Sequence, residues 1–76
     1  MKIEILGMGC AKCKKLYDNV KIAVDEVGIQ ADIFKVEDIE RITEYGIMAT
    51  PALAIDGEVK TSGRVPAPDE IKKWLS

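Results

Sequence analysis

Histidine is absent from this chain, and cysteine occurs only twice, at Cys10 and Cys13. A tetrahedral zinc centre draws on a full set of Cys, His or carboxylate ligands, and two thiols without an imidazole leave one half built. Small secreted scaffolds stapled by disulfides carry more cysteines than this. A bridge between positions 10 and 13 closes too short a loop to constrain the unfolded chain much. A basic excess is also missing: the net charge is −2. Neither nucleic acid nor an anionic membrane is therefore an expected partner, since both need a basic patch. No long apolar run occurs, and the chain opens Met1-Lys2-Ile3-Glu4. A signal peptide, a membrane span and a lipidation box are all unexpected, which points to a cytoplasmic, reducing setting. Side-chain amides are limited to Asn19 and Gln30, a trait of heat-adapted proteins.

Repeats, low-complexity tracts and interdomain linkers are lacking too, so residues 1–76 read as a single domain. A core of this size is marginal, yet 47% hydrophobic against 32% charged residues describes a globular chain rather than a disordered one. Residues 2–6 alternate as a strand does, and Gly7-Met8-Gly9 breaks the pattern. From 11 to 27 the period becomes helical. At about 100° per residue, Leu16, Val20, Val24 and Val27 share one stripe, with Lys14, Asp18, Lys21 and Asp25 opposite. Ile22 falls off that stripe and suggests a second covered side; Gly28 ends the helix. Residues 31–36 predict a strand. Residues 38–45 predict a short helix with Ile39 and Ile42 on one side, ended by Gly46. Residues 51–55 form a third strand, Asp56-Gly57 a hairpin turn, and 58–61 the paired fourth strand. A last helix opens around Pro66-Ala67-Pro68-Asp69-Glu70, with Ile71, Trp74 and Leu75 apolar. The fold class is α/β, in the order β-α-β-α-β-β-α: a four-stranded mixed sheet with helices on both faces.

Cys10 and Cys13 stand at the strand-to-helix junction. On the helical wheel Cys13 joins the apolar stripe, whereas Cys10 sits at its edge, where the loop turns into the helix. One sulfur is reachable and the other shielded, which suits disulfide exchange: Cys10 as nucleophile, Cys13 as resolving thiol. A helix N-terminus offers unpaired N–H groups and the positive end of the dipole. Lys12, with Lys14 and Lys15, adds positive charge, and both effects lower a thiol pKa toward the reactive thiolate. Two small apolar core residues would be the bland alternative, but a C-x-x-C motif at such a junction favours redox chemistry.

The run Tyr45-Gly46-Ile47-Met48-Ala49-Thr50-Pro51-Ala52-Leu53-Ala54-Ile55-Asp56-Gly57, followed by Glu58-Val59, is the second informative stretch. Together with the early cysteine pair and the closing helix, it resembles the thioredoxin superfamily, and in particular the small archaeal and bacterial "redox-active disulfide" proteins of glutaredoxin size. The resemblance covers essentially the whole chain. It implies that Pro51 is cis and lies against the cysteine pair, and that the Thr50 backbone pairs with a bound substrate strand. It implies a proton-transfer role for Glu4, which holds the family's spacing of six residues before the first cysteine. No cofactor beyond the Cys10–Cys13 disulfide is implied. The partners would be client proteins with disulfides and an upstream reductase, acting on a monomer. The chain departs from the family at Gly9, where a tryptophan is usual, and at Ala11-Lys12, where Gly-Pro is usual. The glutathione-binding residues of glutaredoxins are not recognisable.

The run Leu6-Gly7-Met8-Gly9-Cys10-Ala11-Lys12-Cys13 also resembles the loop of heavy-metal-associated domains, in which two thiolates hold soft Cu(I). That family runs β-α-β-β-α-β and ends on a strand. A helix-like segment before Thr50-Pro51 and a helical C-terminus speak against this alternative.

Overall fold

The structure, a computed structural model, describes residues 1–9 and 11–75. Seven elements follow one another: β1 (Lys2–Leu6), α1 (Ala11–Val27), β2 (Asp32–Val36), α2 (Ile39–Glu44), β3 (Ala52–Ile55), β4 (Glu58–Ser62) and α3 (Pro68–Leu75). They build one sheet in the order β2-β1-β3-β4. β1 pairs parallel with β2, placing Ile5 beside Lys35 and Leu6 beside Val36. It pairs antiparallel with β3, placing Leu6 opposite Ala52. β3 and β4 form an antiparallel hairpin with a register shift at Leu53/Ala54.

Alternation along β1 divides the core in two. Ile3 and Ile5 point toward α1 and α3 and pack with Leu16, Val20, Ala23, Leu53 and Ile71. Leu6 points the other way and packs with Ile42, Ala52 and Ala54 beneath α2. A strand puts successive side chains on opposite faces, so β1 serves both layers at once.

Several element ends have a local cause. Gly28 has φ 76°, the left-handed conformation that terminates helices, and its N–H reaches Val24 O at 2.9 Å. The Asp38 carboxylate caps α2 by accepting from Glu40 N at 3.0 Å. Asp56 and Gly57 turn the β3–β4 hairpin with φ 50° and 84°, as a two-residue turn of type I′ requires. Asp56 also closes the sheet's lower edge: its Oδ1 accepts from Lys2 N at 2.8 Å.

Three expectations are corrected. Ile22 is 46% exposed and Ile39 is 65% exposed, so the sides of α1 and α2 that carry them face solvent among the described residues. α3 starts at Pro68 rather than at Pro66. Pro66 is instead buried, and its carbonyl accepts from the Asn19 side chain at 3.0 Å, which ties α1 to the segment that leads into α3. Among the described residues, no helix is long and apolar enough to cross a membrane.

Candidate active site

The parallel ladder runs one residue past β1, since Gly7 N donates to Val36 O at 3.0 Å. At that point three segments meet. A Cβ on Gly7 would run into Cys13 Sγ, with Cys13 Cβ at 3.4 Å and the Pro51 Cα at 3.8 Å. Only a glycine leaves the notch that the sulfur fills. Cys13 stands in the first turns of α1 and is 7% exposed, the shielded position its place on the apolar stripe predicts. Cys10, its partner in the motif, lies outside the described residues.

Pro51 borders the same notch. The Thr50–Pro51 peptide bond is cis, Thr50 is exposed and Pro51 buried. The Pro51 carbonyl accepts from Gly63 N at 2.9 Å, which holds the end of the loop against β4. The structure thus brings Cys13 and Pro51 together beside Gly7, with the exposed Thr50 directly before Pro51.

Beside the notch lies a cleft of about 350 Å³ lined by Gly7, Cys13, Lys14, Tyr17, Lys35 and Glu37. Lys35 Nζ lies 4.5 Å from the centroid of the Tyr17 ring, within cation–π range. Lys12, on the first turn of α1, is exposed. The sequence reading did not single out Gly7 or Lys35. The glycine's signal is its place directly after a strand and six residues before Cys13; Lys35 carries only the alternation that sets it beside Ile5.

Glu4 is not brought to Cys13. It is 3% exposed, but the alternation of β1 turns it with Leu6 toward α2, away from the face of Gly7. There its carboxylate accepts from Arg41 Nη2 at 3.3 Å and from the Tyr45 hydroxyl. The hydrogen bond to Glu4, followed by burial, pushes the Tyr45 phenol above its ordinary value of 10.0. The charge of Glu4 likewise raises the Arg41 guanidinium. This placement gives no support to proton transfer between Glu4 and the cysteine pair.

The thioredoxin domain family matches the chain over residues 1–76. A protein named Thioredoxin from Methanothermobacter thermautotrophicus is 50% identical over 76 residues, covering 100% of this chain and 99% of its own. Another named Thioredoxin, from Methanocaldococcus jannaschii, is 45% identical over 73 residues, covering 96% and 84% respectively. A Probable Thioredoxin from Methanothermobacter marburgensis is 34% identical over 80 residues, covering 100% and 93%.

Proposed function

The chain belongs to the thioredoxin-domain family and is a thiol-disulfide oxidoreductase, and we propose that Cys10 and Cys13 are the pair that does its work. The Cys10 thiolate attacks one sulfur of a client disulfide. A Cys10–client bond forms, and the first client sulfur leaves as a thiolate. Cys13 then attacks the Cys10 sulfur, the second client thiolate leaves, and the Cys10–Cys13 disulfide remains. Two electrons pass from the pair to the client, and the client thiolates take up protons according to their pKa. An upstream reductase returns the electrons.

The observation that supports this reading is the notch at Gly7, where the shielded Cys13 sulfur and the Pro51 Cα both come close to the same point. Lys12 and the helix N-terminus favour the thiolate at Cys10. The exposed Thr50 backbone offers a client strand a place to pair, with Pro51 beneath it. The pair itself is the redox group, with no further cofactor. The working form is a cytoplasmic monomer whose partners are disulfide-bearing proteins and a reductase. Neither the family match nor an element order that ends on α3 favours the Cu(I) carrier.

The test is covalent trapping. Cys13→Ser removes the resolving thiol, so mixed disulfides on Cys10 should accumulate in a lysate of the source organism and disappear on reduction. A second substitution, Cys10→Ser, should abolish them. Trapping that survives the loss of Cys10, or no trapping beside tight Cu(I) binding through both thiols, would overturn the assignment.

A further inference from the structure

We propose that Glu4 is a positioning residue: through Tyr45 it holds in place the loop that carries Thr50 and Pro51. A carboxylate taken out of water needs partners to offset its lost hydration. Glu4, on the central strand, takes both of its partners from one end of the α2 layer, Arg41 and Tyr45. The Arg41 guanidinium also lies 5.4 Å from the centroid of the Tyr45 ring, so the three side chains form one cluster.

α2 needs such a tether. It has six residues, far too few to be stable alone. Within the helix only Ile42 is buried, while Ile39 faces solvent. The cluster therefore supplies much of what docks the helix, and it does so at the helix's C-terminal end. Tyr45 is the C-cap residue, with its N–H on Ile42 O and Thr43 O. Gly46 follows at φ 73°, with its N–H on Thr43 O at 2.8 Å. The chain then has Ile47 half-buried under the sheet and Met48, Ala49 and Thr50 exposed before Pro51. The far end of this loop is pinned by Gly63 N on Pro51 O. The near end is pinned by the Tyr45 side chain on β1. Between those two points Met48, Ala49 and Thr50 are exposed, with Ala49 Cβ beside Gly63, and the Tyr45 end sets where this segment starts toward Thr50.

The role for the loop rests on the reading of Thr50–Pro51 as the client contact, and the experiment separates the two. Tyr45→Phe keeps the ring and removes the hydroxyl; Glu4→Gln keeps an acceptor for Tyr45 and removes the charge. Backbone amide shifts of Met48, Ala49 and Thr50 report the loop. Reduction of insulin by dithiothreitol through the protein reports a protein client. Reduction of a small aromatic disulfide reports the cysteine pair alone. In Tyr45→Phe the loop shifts should move, and KM for insulin should rise about fivefold, as expected for the loss of one hydrogen bond. The insulin kcat and the small-disulfide rate should stay unchanged, with Glu4→Gln between Tyr45→Phe and the parent. Unmoved loop shifts in both variants overturn the inference. So does a fall in the small-disulfide rate, which would place the cluster's effect on the cysteines. Moved shifts with an unchanged KM uphold the clasp and overturn the client role of Thr50–Pro51.

Discussion

Gly7 is the residue on which the notch depends, and it is indispensable for a steric reason rather than a conformational one. Any side chain there competes with Cys13 Sγ for the same space. Gly7→Ala should cost about 1–3 kcal/mol, the usual range for overpacking a filled site. It should also drive the Cys13 side chain out of its shielded position. Urea unfolding measures the first effect, and the rate at which a thiol dye labels reduced protein measures the second. An unchanged midpoint and labelling rate would mean that the notch relaxes freely. The burial of Cys13 was legible from the apolar stripe through Leu16 and Val20, because a helix's period is carried by the side chains themselves. The notch was less legible: its mark is a glycine directly after a strand, and that alone does not say that Cys13 Sγ takes the place of a side chain there. Glu4 shows the same limit: a six-residue spacing to Cys10 says nothing about which face of the strand the carboxylate takes. That depends on where β1 ends, and the ladder continues to Gly7.

At the scale of elements, the long helix and the paired strands were legible because each repeats its signal several times. The joins were not. Pro66 and Pro68 both read as helix starts; α3 starts at Pro68, while the Pro66 carbonyl accepts from the Asn19 side chain. Asn19 is the buried polar group in the α1–α3 interface, at 8% exposure. Asn19→Ala leaves that carbonyl without its donor and should destabilise the fold by about 1–3 kcal/mol. A lowered denaturation midpoint with an unchanged m-value checks it, and no shift would show that water replaces the amide. The Lys72–Glu26 contact at 2.9 Å joins the same two helices, but it is exposed, and exposed ion pairs contribute little.

For the whole molecule, the two layers respond to pH at opposite ends of the scale. The neutral Tyr45 phenol donates to Glu4, so its folded pKa lies above the ordinary 10.0. A group raised on folding stabilises below its unfolded value, and the stabilisation is lost as pH climbs through the folded value. Stability should therefore fall on the alkaline side of 10, and Tyr45→Phe should remove that part of the fall. Phenolate absorbance followed alongside unfolding will show it; coincident profiles for the two proteins would exclude it. At the acid end, Arg64 holds the Glu70 carboxylate below its ordinary 4.5. That contribution is present above the unfolded value and fades as pH drops through the folded one, and solvent keeps it small because both groups are exposed.

The alternation of β1 has a longer reach than packing. Its odd-numbered residues serve the layer that shelters Cys13, and its even-numbered residues serve the layer that holds α2. The two traits therefore draw on separate sets of residues within one strand of five. A substitution at Glu4 therefore meets the α2 layer first, and one at Ile3 or Ile5 the layer that packs with α1.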